Sequence, residues 1–145
     1  MVISGGKGWQ SEGIYIAAEK SKYAKDIIFT GYVSNDEKSA LFRNAELFVY
    51  PSIYEGFGMP VLEAMACGTP VVCSKTSSLP EVVGESAMLI DPFSELDIAE
   101  KLVRVLTEKD LAKSMAASGK VRAEYFSWEC SAEKLMDLYK SIKKR

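Results

Sequence analysis

Two carboxylates, Glu55 and Glu63, stand eight residues apart in the stretch YPSIYEGFGMPVLEAMACGTPVV, Tyr50 to Val72. Gly56-Phe57-Gly58-Met59-Pro60 lies between them. Glycine lets the backbone take dihedrals closed to other residues and come close to a ligand. Proline fits a first helical turn, where its missing N–H costs nothing. The stretch therefore reads as a loop entering a helix. The unsatisfied N–H groups of such a turn, with the helix dipole behind them, attract an anion such as phosphate or pyrophosphate. Helical side chains lean toward the N-terminus, so Glu63 reaches back to the same turn. Two like charges are poorly placed to face phosphate oxygens, but they suit hydroxyls. A carboxylate accepts paired hydrogen bonds from a vicinal diol, as in a ribose or a hexose. The pattern points to a phosphorylated, sugar-bearing ligand, a nucleotide sugar. The same residues also fit a plainer arrangement, with Glu55 capping the helix and Glu63 paired with a lysine.

The surrounding elements must bring these groups to one place. Val2-Ile3-Ser4 reads as a short strand running into Gly5-Gly6-Lys7-Gly8-Trp9, and Ser11 to Lys22 as a helix with Ile14, Ala17 and Ala18 inward. Ile27 to Thr30 is a strand closed by Gly31. Ser34-Asn35-Asp36-Glu37 has the spacing of a capping box and opens a helix carrying Leu41, Phe42 and Ala45. Leu47 to Tyr50 is a continuous apolar strand stopped by Pro51, and a helix follows from Met59 to Cys67, closed by Gly68. Pro70 to Cys73 and Ala87 to Ile90 are further strands, separated by a turn-rich run from Ser74 to Gly84. Ser94-Glu95-Leu96-Asp97 repeats the capping pattern before a helix with Ala99, Leu102, Val103 and Leu106 on one face. Two helices follow over 108–125 and 129–142, the last with Ala132, Leu135, Met136, Tyr139 and Ile142 at helical spacing. Short apolar strands that do not alternate internally, separated by amphipathic helices, predict an α/β, Rossmann-like, doubly wound parallel sheet covered on both faces. Its abrupt beginning predicts that a first strand and helix are lacking.

Composition removes several classes. Net charge is −2, with 18 basic and 20 acidic residues, so no nucleic-acid face is implied. The basic cluster Lys140-Ser141-Ile142-Lys143-Lys144-Arg145 fits a solvated helix end. The absence of histidine excludes His-based triads and most zinc sites. Cys67, Cys73 and Cys130 form no C-x-x-C pair and read as reduced thiols of a cytoplasmic protein. Lys7 reads as a solvent-facing lysine with phosphate contact as the alternative. Ser74, Thr76 and Ser77 read as turn formers at a strand end, with a ligand role as the alternative.

The run from Tyr50 to Gly84 resembles the signature of glycosyltransferase family 4 (group 1), retaining enzymes of the GT-B fold. Glu55 to Glu63 matches its Glu-x7-Glu motif, and Phe29-Thr30-Gly31-Tyr32-Val33, Leu79-Pro80-Glu81-Val82-Val83-Gly84, Asp91-Pro92 and Phe126-Ser127-Trp128 fit the pattern around it. The resemblance implies that residues 1–145 are one Rossmann-like nucleotide-sugar-binding domain, the C-terminal half of a GT-B fold, incomplete at its N-terminus. It implies Glu55 as the catalytic carboxylate, in contact with the donor sugar, and Glu63 on the ribose diol. Backbone amides of Gly56, Phe57 and Gly58 would face sugar and phosphates, and Tyr32 and Val33 would flank the base. It further implies no cofactor and no essential metal, the nucleotide sugar being substrate. The family's diphosphate-clamping basic residues and its acceptor-binding N-terminal domain have no counterpart here. The expectation is thus a donor-binding domain of a retaining hexosyltransferase, acting on a glycan or lipid-linked acceptor. Its location would be the cytoplasm or the inner membrane face, and alone it would turn over little. The alternative is a noncatalytic split subunit or interaction module that needs a separate acceptor domain.

Overall fold

In the computed structural model residues 1–8 and 11–143 are described. Trp9 of the glycine-rich turn and Lys144 and Arg145 of the basic tail lie outside them. The chain forms two compact units, residues 1–38 and 39–145, the boundary falling within one helix.

The first unit contains β1 (Val2–Ser4), α1 (Glu12–Lys20), a 3-10 turn (Ala24–Asp26), β2 (Ile28–Gly31) and the start of α2 (Asn35–Asn44). β1 and β2 pair in parallel, Ile3 opposite Phe29. Beyond the ladder the Gly5 amide donates to the Gly31 carbonyl at 2.9 Å. The α1 face differs from expectation: Ile14 and Ala17 are exposed, while Tyr15 and Ala18 turn inward. The reason is the Tyr15 ring, which meets Phe29 of β2 at 4.5 Å between centroids. Lys7 lies over the other partner of that pair, with Nζ 5.3 Å from the Tyr15 ring centre. The capping box at α2 forms in full, the Glu37 amide donating to Ser34 Oγ at 3.3 Å and the Ser34 amide to Glu37 Oε2 at 2.8 Å. That second bond holds the Glu37 carboxyl below its usual range.

The second unit is built on a parallel sheet in the order β3 (Phe48–Tyr50), β4 (Val71–Ser74), β5 (Met88–Ile90). β4 is buried along its whole length. Its side chains alternate between two cores, as strand geometry requires. Val71 and Cys73 face a cluster with Val61, Leu62, Ala64 and Met65 of α3 (Met59–Ala66) and Leu79, Val82 and Val83 of α4 (Leu79–Val83). Val72 faces the opposite cluster with Ile90, Val105 and Met115, from α5 (Glu95–Thr107) and α6 (Lys109–Glu124). Helices on both faces of a parallel sheet are the expected α/β arrangement. α6 also reaches α3, where a Cβ on Gly119 would meet Met65 Cγ at 3.3 Å. Glycine permits that approach. Thr69 Oγ1, buried, donates to the Phe42 carbonyl at 2.6 Å and ties the end of α2 to the start of β4. Burial pushes the Cys73 thiol up to about 12, and all three cysteines are unbridged.

Two further expectations are corrected. The turn-rich Ser74–Gly84 segment contains α4, opened by Pro80 in its first turn and closed by Gly84. The buried face of α5 is Ile98, Leu102 and Val105, while Ala99, Val103 and Leu106 are exposed. The core lies under residues spaced four and three apart, one position off the expected stripe. The apolar stripe of α7 (Trp128–Lys143) has helical spacing but stays exposed at Leu135, Met136, Tyr139 and Ile142. No helix of the described residues is long and apolar enough to cross a membrane.

The two α5 faces differ in what truncation does. Val105→Ala should lower stability by about 2 kcal/mol, the lost transfer energy plus a cavity. Val103→Ala, at the surface, should stay within about 0.5 kcal/mol of the parent. Urea denaturation of both variants checks the assignment, and equal effects would contradict it.

Candidate functional site

The carboxyl ends of β3, β4 and β5 carry the loops 51–58, 75–78 and 91–94. In open α/β sheets this rim is where ligands sit. β3 delivers Tyr50 and then Ser52 and Glu55. The Tyr50 hydroxyl donates to Glu55 Oε1 at 2.6 Å. Ser52 Oγ donates to the same oxygen at 2.9 Å, its single proton shared with the Tyr54 carbonyl at 3.2 Å. Burial, together with the adjacent Glu55 carboxylate, pushes the Tyr50 hydroxyl up to about 12. Glu55 is half-buried and does not cap α3: the N-cap is Gly58, with no side-chain cap bond. The plainer reading of Glu55 as a cap is thereby removed.

Gly58 is buried and holds φ at +106°, a left-handed conformation that favours glycine. A Cβ there would lie 2.5 Å from Leu79 Cδ2, in the core. The turn is therefore fixed by packing as well as by dihedral. Val61 donates to the Gly58 carbonyl at 3.0 Å, and Pro60 has no N–H. Among the described residues no hydrogen bond claims the amides of Gly56, Phe57 or Gly58. They remain as donors beside the positive end of α3. Phe57 is pinned against Phe126, just beyond α6, with ring centres 5.7 Å apart. The Arg122 guanidinium lies 4.9 Å from the Phe126 ring. The same guanidinium donates to the carbonyls of Val82 and Glu81 at 2.9 and 2.6 Å, closing the end of α4.

Glu63 lies one turn into α3, half-buried, with Oε2 shielded from solvent. It projects from the helix that Gly58 opens, as its spacing predicts. Tyr32, 87 % exposed, and Val33, half-buried, follow β2 in the first unit. On the neighbouring rim, Lys75 and Asp91 form an ion pair at 2.8 Å at the ends of β4 and β5. Asp97, at the start of α5, accepts the Asp91 amide at 2.7 Å, so the second capping pattern closes onto Asp91 rather than onto Ser94. Ser94 Oγ still accepts the Asp97 amide at 3.2 Å. Ser74 Oγ is enclosed with no hydrogen-bond partner among the described residues.

The hydroxyls after β4 are the part that sequence reasoning missed. Ser77 Oγ accepts the Glu55 amide at 2.9 Å and donates to the Glu55 carbonyl. Ser78 Oγ bridges the carbonyls of Glu55 and Phe57, each at 3.0 Å. Thr76 Oγ1 donates to the Ser52 carbonyl at 3.3 Å. These residues do form a turn, but the turn clasps the glutamate loop. The only sequence signal was a cluster of hydroxyl residues at a strand end.

The family model for glycosyl transferases group 1 matches residues 1–122. The chain belongs to that family. It is 38 % identical over 142 residues to the O-antigen chain mannosyltransferase B of Escherichia coli, covering 98 % of this chain and 37 % of that relative. The chain therefore spans a little over a third of that relative's length. Among solved structures, the sucrose-phosphate synthase of Thermosynechococcus elongatus superposes with a TM-score of 0.82 at 28 % identity, over 99 % of this chain and 38 % of that one. The Anabaena protein HepE, solved in complex with UDP and glucose, superposes with a TM-score of 0.79 at 19 % identity, over 97 % of this chain and 40 % of that one. The expected GT-B type of fold is the one these structures share.

Two outcomes follow from the geometry. Gly58→Ala should destabilise the chain by at least about 1–3 kcal/mol, the usual cost of a forced backbone conformation. The Leu79 clash adds to this, and a thermal midpoint equal to the parent's would contradict it. Tyr50 has its folded pKa raised from 10.0 to about 12. Its stabilising contribution is therefore complete below pH 10 and is lost as the pH rises toward 12. The stability gap between parent and Tyr50→Phe should narrow over that window in denaturation series at pH 9 and pH 11.

Proposed function

We propose that this rim is the donor subsite of a retaining hexosyltransferase. In the parent reaction the bond between the sugar's anomeric carbon and the diphosphate breaks, and an acceptor oxygen forms a new bond to that carbon with net retention. The nucleoside diphosphate leaves, and the proton of the acceptor hydroxyl passes to the released diphosphate. The observation that carries the reading is the placement of Glu55. One carboxylate oxygen is held by Tyr50 and Ser52, beside a glycine turn whose amides are available. The second oxygen of Glu55 orients and polarises donor sugar hydroxyls. Glu63 takes the ribose diol. The turn amides and the α3 N-terminus take diphosphate charge, with no resident cofactor in the reading. Support comes from the family, from a relative named as a mannosyltransferase, and from HepE, whose structure holds UDP and glucose. The relatives' remaining length is the natural source of the acceptor-binding wall and of further basic groups on the diphosphate. The acceptor is a glycan or a lipid-linked carrier reached from the cytoplasmic side.

Ligand-detected NMR titration of the chain with UDP-glucose, GDP-mannose and ADP-glucose tests the reading. One donor should bind in preference, and Glu63→Ala should weaken it by about tenfold, the scale of one lost charge-assisted hydrogen bond. Binding of none of the three would overturn the donor assignment. Undiminished binding by Glu55→Ala would remove Glu55 from the sugar.

A further inference from the structure

Ser77 holds φ at +56° and, among the described residues, is the one non-glycine residue with positive φ. Glycine is the default at such a position, because a Cβ is disfavoured there. What the serine supplies is its hydroxyl, and that group is used to capacity. A hydroxyl can donate once and accept twice. Ser77 Oγ donates to the Glu55 carbonyl, accepts the Glu55 amide at 2.9 Å and accepts the Ser78 amide at 2.6 Å. It thus grips both backbone polar groups of the residue whose carboxylate is aimed by Tyr50 and Ser52. The side chain is exposed, so hydrogen bonds rather than packing set its place.

We infer that Ser77 is a positioning residue for sugar recognition. It fixes the Glu55 backbone from the β4 side while Tyr50 and Ser52 fix one carboxylate oxygen from the β3 side, leaving the other oxygen aimed at the donor hexose. The inference rests on the reading of this rim as a donor site. It assigns specificity for the sugar, as distinct from the nucleotide, to hydroxyls that need not touch the ligand. Of the groups assigned to the nucleotide, Gly58 is held by its packing against Leu79 and Glu63 is carried by α3, so their contribution is separable from the Ser77 hydroxyl.

Ser77→Gly is the decisive variant, because it relieves the backbone demand while removing the hydroxyl. A purely structural role predicts a lower thermal midpoint, from the lost hydrogen bonds, with nucleotide and nucleotide-sugar affinities changed alike. The positioning role predicts an unchanged thermal midpoint or a small shift, with free nucleoside diphosphate affinity kept. Affinity for the matching nucleotide sugar should fall by about tenfold, the factor carried by one misplaced hydrogen bond. Ser77→Gly combined with Glu55→Gln should be no worse than Glu55→Gln alone, since both act through one carboxylate. Titration calorimetry of UDP, GDP and ADP and their sugars on parent and variants reads both quantities. An unchanged sugar-to-nucleotide affinity ratio in Ser77→Gly, or additive losses in the double variant, overturns the inference while the donor site stands. A parent that binds neither nucleotide nor nucleotide sugar overturns the donor reading, and the inference with it.

Discussion

The rim depends on one backbone constraint, the left-handed turn at Gly58. There the loop from β3 becomes α3, and the absent Cβ is what lets Leu79 of α4 close against the backbone. Leu79 is fully buried in the same cluster as Val71 and Cys73 of β4 and Val61 of α3. The direction of the helix, the presentation of its first amides and the packing of one core are thus set at a single residue. Glu55 and Glu63 fall on either side of it. Glu63 is carried by the helix that this core holds, and Glu55 by the loop before it, which Ser77 and Ser78 clasp; a preorganised site requires both supports.

Around that turn the polar groups are arranged to aim charge without neutralising it. Glu55 receives hydroxyl donors on one oxygen and, among the described residues, no ion pair on the other, so in the proposed reading its charge faces a ligand. The basic groups nearby are otherwise engaged. Lys75 is held by Asp91, and Arg122 closes α4 through carbonyls while covering Phe126. In the proposed reading such a site suits a ligand rich in hydroxyls, with phosphate charge left to the amides and dipole of α3.

Much of this was legible in the sequence where the signal is local. The Ser34–Glu37 capping box, the strands around Val49, Val72 and Leu89, the α3 start after Gly58 and the Glu55–Glu63 pair all lie within one or two turns of chain. Three kinds of feature were not. α4 is five residues long, too short for a periodic pattern, and its Pro80 reads equally as a turn. α5 has two apolar stripes offset by one position, and only the core decides that Val105 rather than Val103 is buried. The hydroxyl clasp joins Glu55 to residues 22 and 23 positions away, a pairing that no local rule specifies. The α7 stripe shows the converse: Leu135, Met136 and Tyr139 keep the spacing of a buried face while lying exposed. Periodicity reports that a face suits burial, not what covers it.

The central claim is that two carboxylates flanking one turn divide a nucleotide sugar between them. Carboxyl-carbon NMR of glutamate-labelled chain, with Glu55 and Glu63 assigned by substitution, tests it most directly when a nucleoside diphosphate and its sugar derivative are added in turn. The account predicts that the Glu63 resonance moves with both ligands, and that the Glu55 resonance moves only when the sugar is present. Shifts confined to other glutamates, such as Glu81 or Glu85, or a Glu55 response to the nucleotide alone, would contradict it.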